Sequence, residues 1–171
     1  MSAQASLSGQ VTDSVGVPCI PCIPCIPCIP CVPCVVLDTN IVLDLFIFSD
    51  PRCAALRLAL QGQQLHWIST QIMRDELERV LAYTHLQPRM AFYSVTAVQV
   101  LRHFDSHVQM RDVAERAKYV CKDEDDQKFI DLAVQHQCAL ISKDKAVLTM
   151  RKRLASLNVA VASQWSSQLA I

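Results

Sequence analysis

Val35-Val36-Leu37-Asp38-Thr39-Asn40 is the stretch whose reading decides the fold. Three apolar residues in a row, two of them β-branched, read as a strand buried on both faces, as in a parallel sheet. The strand then delivers a carboxylate (Asp38), a hydroxyl (Thr39) and an amide (Asn40) at its carboxyl end. In an open α/β sheet that end is where ligands bind. A carboxylate at the mouth of an apolar strand is costly unless something binds it, and a divalent cation is the obvious candidate.

Composition narrows the setting. A chain of 171 residues has room for one domain with a real core. Its 16 basic and 16 acidic side chains cancel. No global field therefore draws it to a polyanion, which must be held by local patches or bound metal. Only 3 glycines and 6% aromatic residues argue against a β-sandwich and for a helix-rich domain. Of the 9 cysteines, most lie in one repeat between Cys19 and Cys34, with Cys53, Cys121 and Cys138 scattered beyond it. The first basic residue is Arg52, and without a positively charged start a secretory signal peptide is not expected. The expectation is a reduced, cytoplasmic protein.

Residues 1–34 read as a tail. Met1–Gly16 is polar and rich in small residues, as disordered segments are. Val17–Val35 repeats Pro-Cys-Ile or Pro-Cys-Val. The uncharged run could be taken for a membrane span, but its prolines would leave carbonyls that lipid cannot satisfy. Proline at every third position favours polyproline II, which spaces the thiols roughly 9 Å apart along one edge. That is too far for neighbouring disulfides or a shared zinc ion. The tail is low-complexity sequence, and the folded domain is expected over 35–171.

Within that domain, Asn40–Phe48 reads as a buried helix and Pro51–Gln61 as a second, with Ala54, Leu56, Leu58 and Ala59 inward and Gly62 closing it. Leu65–Ile68 is a strand. Ser69 or Thr70 caps a helix to about Ala82. Met90–Phe104 is a further helix, and Val108–Cys121 is irregular or holds a short helix. Asp126–Gln135 is helix, Ala139–Ser142 strand, Ala146–Leu157 helix and Val159–Val161 a last strand. Strands alternating with helices imply an α/β domain with a mostly parallel sheet. The apolar positions Phe92, Val95, Val98 and Leu101 suit core packing or a homodimer face.

The informative residues are acids that break the binary pattern. Glu76 faces the same way as Ile72, Met73, Leu77, Val80 and Leu81, so it is either a rim glutamate bonded to an arginine or a metal-site acid. Asp126 precedes Phe129 and Ile130 by one turn, on the inner face at a helix start, where an acid also suits the helix dipole. Asp123 and Asp125 of the same acidic run read as solvated, and Asp44 as a helix-surface acid, a partner to an arginine, or a second-layer group. Asp144 follows the strand Ala139–Ser142, which puts a second carboxylate at the sheet edge that carries Asp38. Asp38, Glu76, Asp126 and Asp144 contain no His or Cys, and an all-oxygen set selects Mg²⁺ or Mn²⁺ over zinc. The 5 histidines show no ligand spacing beside these acids, and His103 and His107 read as surface residues. No glycine-rich phosphate loop is present.

Val-Val-Leu-Asp38-Thr-Asn40, Arg-Asp-Glu76-Leu-Glu-Arg-Val-Leu, Cys-Lys-Asp-Glu-Asp-Asp126-Gln-Lys-Phe-Ile and Leu-Ile-Ser-Lys-Asp144 together resemble the PIN-domain nucleases, in order and at compatible spacing. Within that family the chain is most similar to the toxin components of bacterial toxin–antitoxin systems. The resemblance runs from Val35 to Val161 and leaves out the Pro-Cys repeat. It departs in reading Asp-Glu-Asp-Asp where relatives often have Asp-Pro-Asp-Asp, and in Ser142 where many have threonine; neither change removes an acid. It implies a three-layer α/β/α fold around a short parallel sheet and metal-dependent phosphodiester cleavage, usually of RNA. Asp38, Glu76, Asp126 and Asp144 would form the acidic quartet, with Asn40 and Ser142 as supporting polar groups, and an antitoxin protein is the implied partner.

The residues agree with that chemistry. Mg²⁺ held by the acids would lower the pKa of bound water and stabilise a leaving oxygen. Lys143 and Lys145 at the pocket edge, with Arg151, Lys152 and Arg153 beyond, are candidate holders of flanking phosphates, the last three being equally well read as solvated charges. Two rival classes are a binding module that grips RNA or protein without cleaving, and another metal-dependent phosphoryl hydrolase. An aspartyl-phosphate enzyme needs a second Asp two residues after the nucleophile, and position 40 is Asn.

Overall fold

The computed structural model describes residues 32–169. The expected disordered or polyproline II tail lies outside the described residues except for its last positions. Cys34, the final cysteine of the repeat, is the first residue of strand β1 (Cys34–Leu37).

β1 is central in a five-stranded, all-parallel sheet ordered β3-β2-β1-β4-β5. On one side Cys34 and Val35 stand beside His66 and Trp67 of β2 (His66–Thr70). On the other, Val35, Val36 and Leu37 stand beside Ala139, Leu140 and Ile141 of β4 (Ala139–Ile141). Neighbours on both edges and layers on both faces explain the unbroken apolar run. Alternate residues point to opposite faces, and the core divides accordingly. Val35, Leu37, Trp67 and Ile141 pack with Ile41, Leu45, Leu56 and Phe104 on one face. Val36, Ile68 and Leu140 pack with Phe129, Ile130, Val147 and Leu154 on the other. The result is the expected three-layer α/β/α domain.

The helices are α1 (Thr39–Phe46), α2 (Ala54–Gln61), α3 (Gln71–Leu81), α4 (Gln87–Phe92), α5 (Ala97–His107), α6 (Gln127–Gln135), α7 (Lys145–Thr149) and α8 (Arg151–Ala155). The chain runs from β1 outward to β2 and β3 (Val108–Arg111), then crosses back to β4 and β5 (Val161–Ala162) on the other side. The strand order therefore reverses between β1 and β4, and the crevice at their carboxyl ends is where such sheets bind ligands.

Several expectations shift. Met90–Phe104 is two helices, broken at residues 93–96 where Ser94 has φ 53°. Thr96 restarts the helix with a capping box: its hydroxyl accepts from the Gln99 amide at 3.2 Å while Gln99 Oε1 accepts from the Thr96 amide at 2.8 Å. Val108–Arg111, expected to be irregular, is the edge strand. Ala146–Leu157 is two short helices meeting at Met150. In α2 the inward residues are Leu56, Ala59 and Leu60, while Leu58 is 69% exposed.

Candidate metal centre

Asp38, Asp126 and Asp144 are each the N-cap residue of a helix: α1, α6 and α7. An N-cap aspartate ordinarily turns its carboxylate onto the first-turn amides. Asp144 does so, its Oδ1 accepting from the Ala146 amide at 2.6 Å. Asp38 and Asp126 do not. The Asp38 carboxylate, only 4% exposed, instead accepts at Oδ2 from the Ser142 hydroxyl and, at 2.8 Å, from the Asn40 side-chain amide. Ser142 Oγ also accepts from the Asp144 amide at 2.9 Å. One buried serine thereby ties the end of β1 to the end of β4 across the switch point. Asn40 Oδ1 reaches the Lys143 amide at 3.4 Å, a second tie between the same loops.

Asp126 is the least compensated. Its Oδ2 is buried and has no hydrogen-bond partner, which is costly for a carboxylate. Burial, and after it the charges of Asp38, Asp144 and Asp123, push its pKa up to about 7, against the smaller opposing pull of Lys128. Burial also raises the Asp38 pKa, offset in part by the Ser142 and Asn40 bonds and reinforced by the charge of Glu76. These mutual shifts arise only because acids far apart in sequence share one small region.

Glu76, on α3, accepts from the Thr39 hydroxyl at 2.8 Å and pairs with the Lys128 ammonium. It is the rim glutamate bonded to a cation, with lysine in place of the expected arginine, and its charge is still felt at Asp38. Lys128 also donates to the Asp125 carbonyl and lies 4.8 Å from the Phe129 ring centre. Nothing in the sequence singled out Lys128, which reads there as an ordinary solvated residue of a first helical turn. Asp123 and Asp125 are exposed, as expected, with Asp123 Oδ1 accepting from the Asp125 amide at 3.0 Å.

Lys143 and Lys145 part company. Lys145 is exposed at the start of α7. The Lys143 ammonium is held by the carboxylates of Asp44 and, at 3.3 Å, Asp50. A phosphate would have to compete with both, so Lys143 works as a strut between the β4–α7 loop and the end of α1. Asp44 is correspondingly a lysine partner.

An all-oxygen set with an unpartnered buried carboxylate oxygen suits a hard divalent cation. Among the described residues no three Asp, Glu, His or Cys side chains already converge tightly enough to enclose one. The separation follows from the contacts above: Ser142, Asn40, the Ala146 amide and Lys128 each hold an acid while like charges push apart.

The PIN-domain family model (PIN_3) matches residues 34–146, well over half of the chain and the span that carries all four acids. This chain belongs to the PIN-domain family. One chain of the crystal structure of VapBC2 from Rickettsia felis, bound to a DNA fragment from their promoter, is similar to it with a TM-score of 0.50 and 15% identity. That alignment covers 75% of this PIN-domain chain and 98% of the other. At such identity the likeness shows the shared fold. No curated protein matches the chain in sequence. Among the described residues no helix is long and apolar enough to cross a membrane.

Proposed function

We propose that this PIN domain is a Mg²⁺- or Mn²⁺-dependent endoribonuclease, the toxin of a toxin–antitoxin pair acting in the cytoplasm. The observation that carries the reading is Asp126: an N-cap carboxylate that declines its cap, leaves Oδ2 buried without a partner, and is pushed up to about 7 by burial and the neighbouring Asp38 and Asp144. A folded chain retains such a group when a cation completes it.

Asp38, Asp126 and Asp144 would hold the ion, with Glu76 at its edge. The bound ion would supply Lewis-acid stabilisation of a phosphoryl oxygen and a lowered pKa for water. Ser142 and Asn40 fix the orientation of Asp38, and Thr39 that of Glu76. Lys145 stands where a flanking phosphate could be met. The domain assignment proposed is residues 1–34 as tail and 35–171 as nuclease domain, with the boundary moved to take in Cys34, which already belongs to β1. Family membership supports nuclease chemistry, and VapBC2 supports an antitoxin protein as partner.

Single-stranded RNA and DNA of matched sequence, incubated with Mg²⁺ and with chelator, test the reading. Metal-dependent cleavage of RNA, lowered about a hundredfold or more by Asp38→Asn, is expected. Binding of RNA without cleavage in any metal would favour a non-catalytic PIN module instead.

A further inference from the structure

Beside Glu76 lies a groove of about 360 Å³, walled by Ile72, Glu76, Arg79 and Tyr83 on the α3 side and by Glu124, Asp125 and Lys128 on the other. Its volume falls at the lower end of the range for small-ligand sites, roughly 300–1,000 Å³. Three features make it more than a surface dip. Tyr83 is 49% exposed and Ile72 45% exposed, so a flat aromatic face and an aliphatic one stand open to solvent in the same groove. Tyr83 has the His85 ring beside it, 5.6 Å between centres and tilted by 37°. Arg79 is exposed and has no ion pair among the described residues, whereas the Glu76 charge beside it is already met by Lys128 and that of Glu124 by Arg116 at 3.6 Å.

We propose that this groove holds one unpaired nucleotide of a single-stranded RNA next to the phosphate to be cleaved. Tyr83 stacks the base and Arg79 holds its phosphate on the α3 wall, away from Asp125. The inference rests on the nuclease reading for its direction, since Glu76 lies in both the groove and the candidate metal centre. Stacking on an aromatic side chain is tolerant of base identity but requires the base to be unpaired, and arginine adds a charge-dependent contact. The groove thus selects strandedness rather than sequence.

The test is fluorescence anisotropy of a short labelled RNA, single-stranded and as a duplex, titrated with the full-length chain in Ca²⁺, together with cleavage in Mg²⁺. Tyr83→Ala is expected to raise the Kd for the single strand at least about fivefold, the lower end for losing one stacked base. Tyr83→Phe restores it, because the ring and not the hydroxyl does the stacking. Arg79→Ala weakens binding and makes the salt dependence shallower by about one unit of slope. Duplex binding is unaffected by Tyr83→Ala. The proposal is overturned if Tyr83→Ala binds single-stranded RNA as the wild type does, whether or not the wild type cleaves. Tyr83-dependent binding without cleavage would leave the groove assigned and remove the nuclease reading. Absence of both binding and cleavage would remove both.

Discussion

At the scale of single residues, Asp126 carries the account, and it makes a prediction with a definite sign. Its folded pKa of about 7 stands above the ordinary value of 3.8. The folded state therefore binds a proton that the unfolded state has released between those values. By linkage, metal-free stability falls as pH rises from about 4 to about 7 and stays lowered above that. Asp38 is shifted in the same direction and adds to the slope. Asp126→Asn removes the largest cause, so its melting temperature in chelator should fall less across this window and exceed the wild type's at pH 8. Thermal melts across pH in chelator check this; an unchanged slope would mean that Asp126 is better compensated than its unpartnered oxygen implies. Lys143 makes the opposite kind of prediction. Because Asp44 and Asp50 hold its ammonium, Lys143→Ala should leave the RNA dissociation constant almost unchanged and its salt dependence intact, as titration at several salt concentrations would show.

Among the elements, β1 and β4 form the frame that places Asp38 and Asp144, and both were legible because strands buried on two faces must be apolar throughout. Leu140, fully buried between β1 and β5, should cost about 2–5 kcal/mol when replaced by alanine, measured by denaturant unfolding. Edge strand β3 was not legible for the complementary reason. Among the described residues Val108-Gln-Met-Arg111 pairs with β2 alone and leaves Met110 43% exposed, so nothing forces an apolar run. The break between α4 and α5 was signalled by Thr96 and Gln99, but the apolar spacing of Phe92, Val95, Val98 and Leu101 overrode it. Thr96→Ala should cost about 1 kcal/mol through loss of the cap. At the site, acids that interrupt apolar stripes or end strands could be picked out one by one. Their restraints could not: Lys128 on Glu76, and Asp44 with Asp50 on Lys143, bring together residues whose types are ordinary for exposed helix ends. Leu58 and Phe92, apolar yet exposed, show that hydrophobicity alone does not report burial.

For the molecule as a whole, the order of the strands explains why one region collects so much charge. Reversal of direction between β1 and β4 opens a crevice, and three helices begin around it with an aspartate at each start. The positive ends of α1 and α6 offset part of the repulsion, within a protein whose net charge is zero. What remains is a local excess of negative charge that would repel an RNA backbone unless a cation neutralises it. Mg²⁺ should therefore raise the melting temperature by mass action, and Asp126→Asn should respond less. The most direct test is cleavage of single-stranded RNA by wild type and Asp126→Asn side by side, each in Mg²⁺ and in chelator, with cooperative melting as the control for folding. A metal centre built on Asp126 predicts cleavage by the wild type in Mg²⁺ alone, and loss of it in a variant that still melts cooperatively. Equal cleavage by the two proteins, or wild-type cleavage undiminished in chelator, would contradict it.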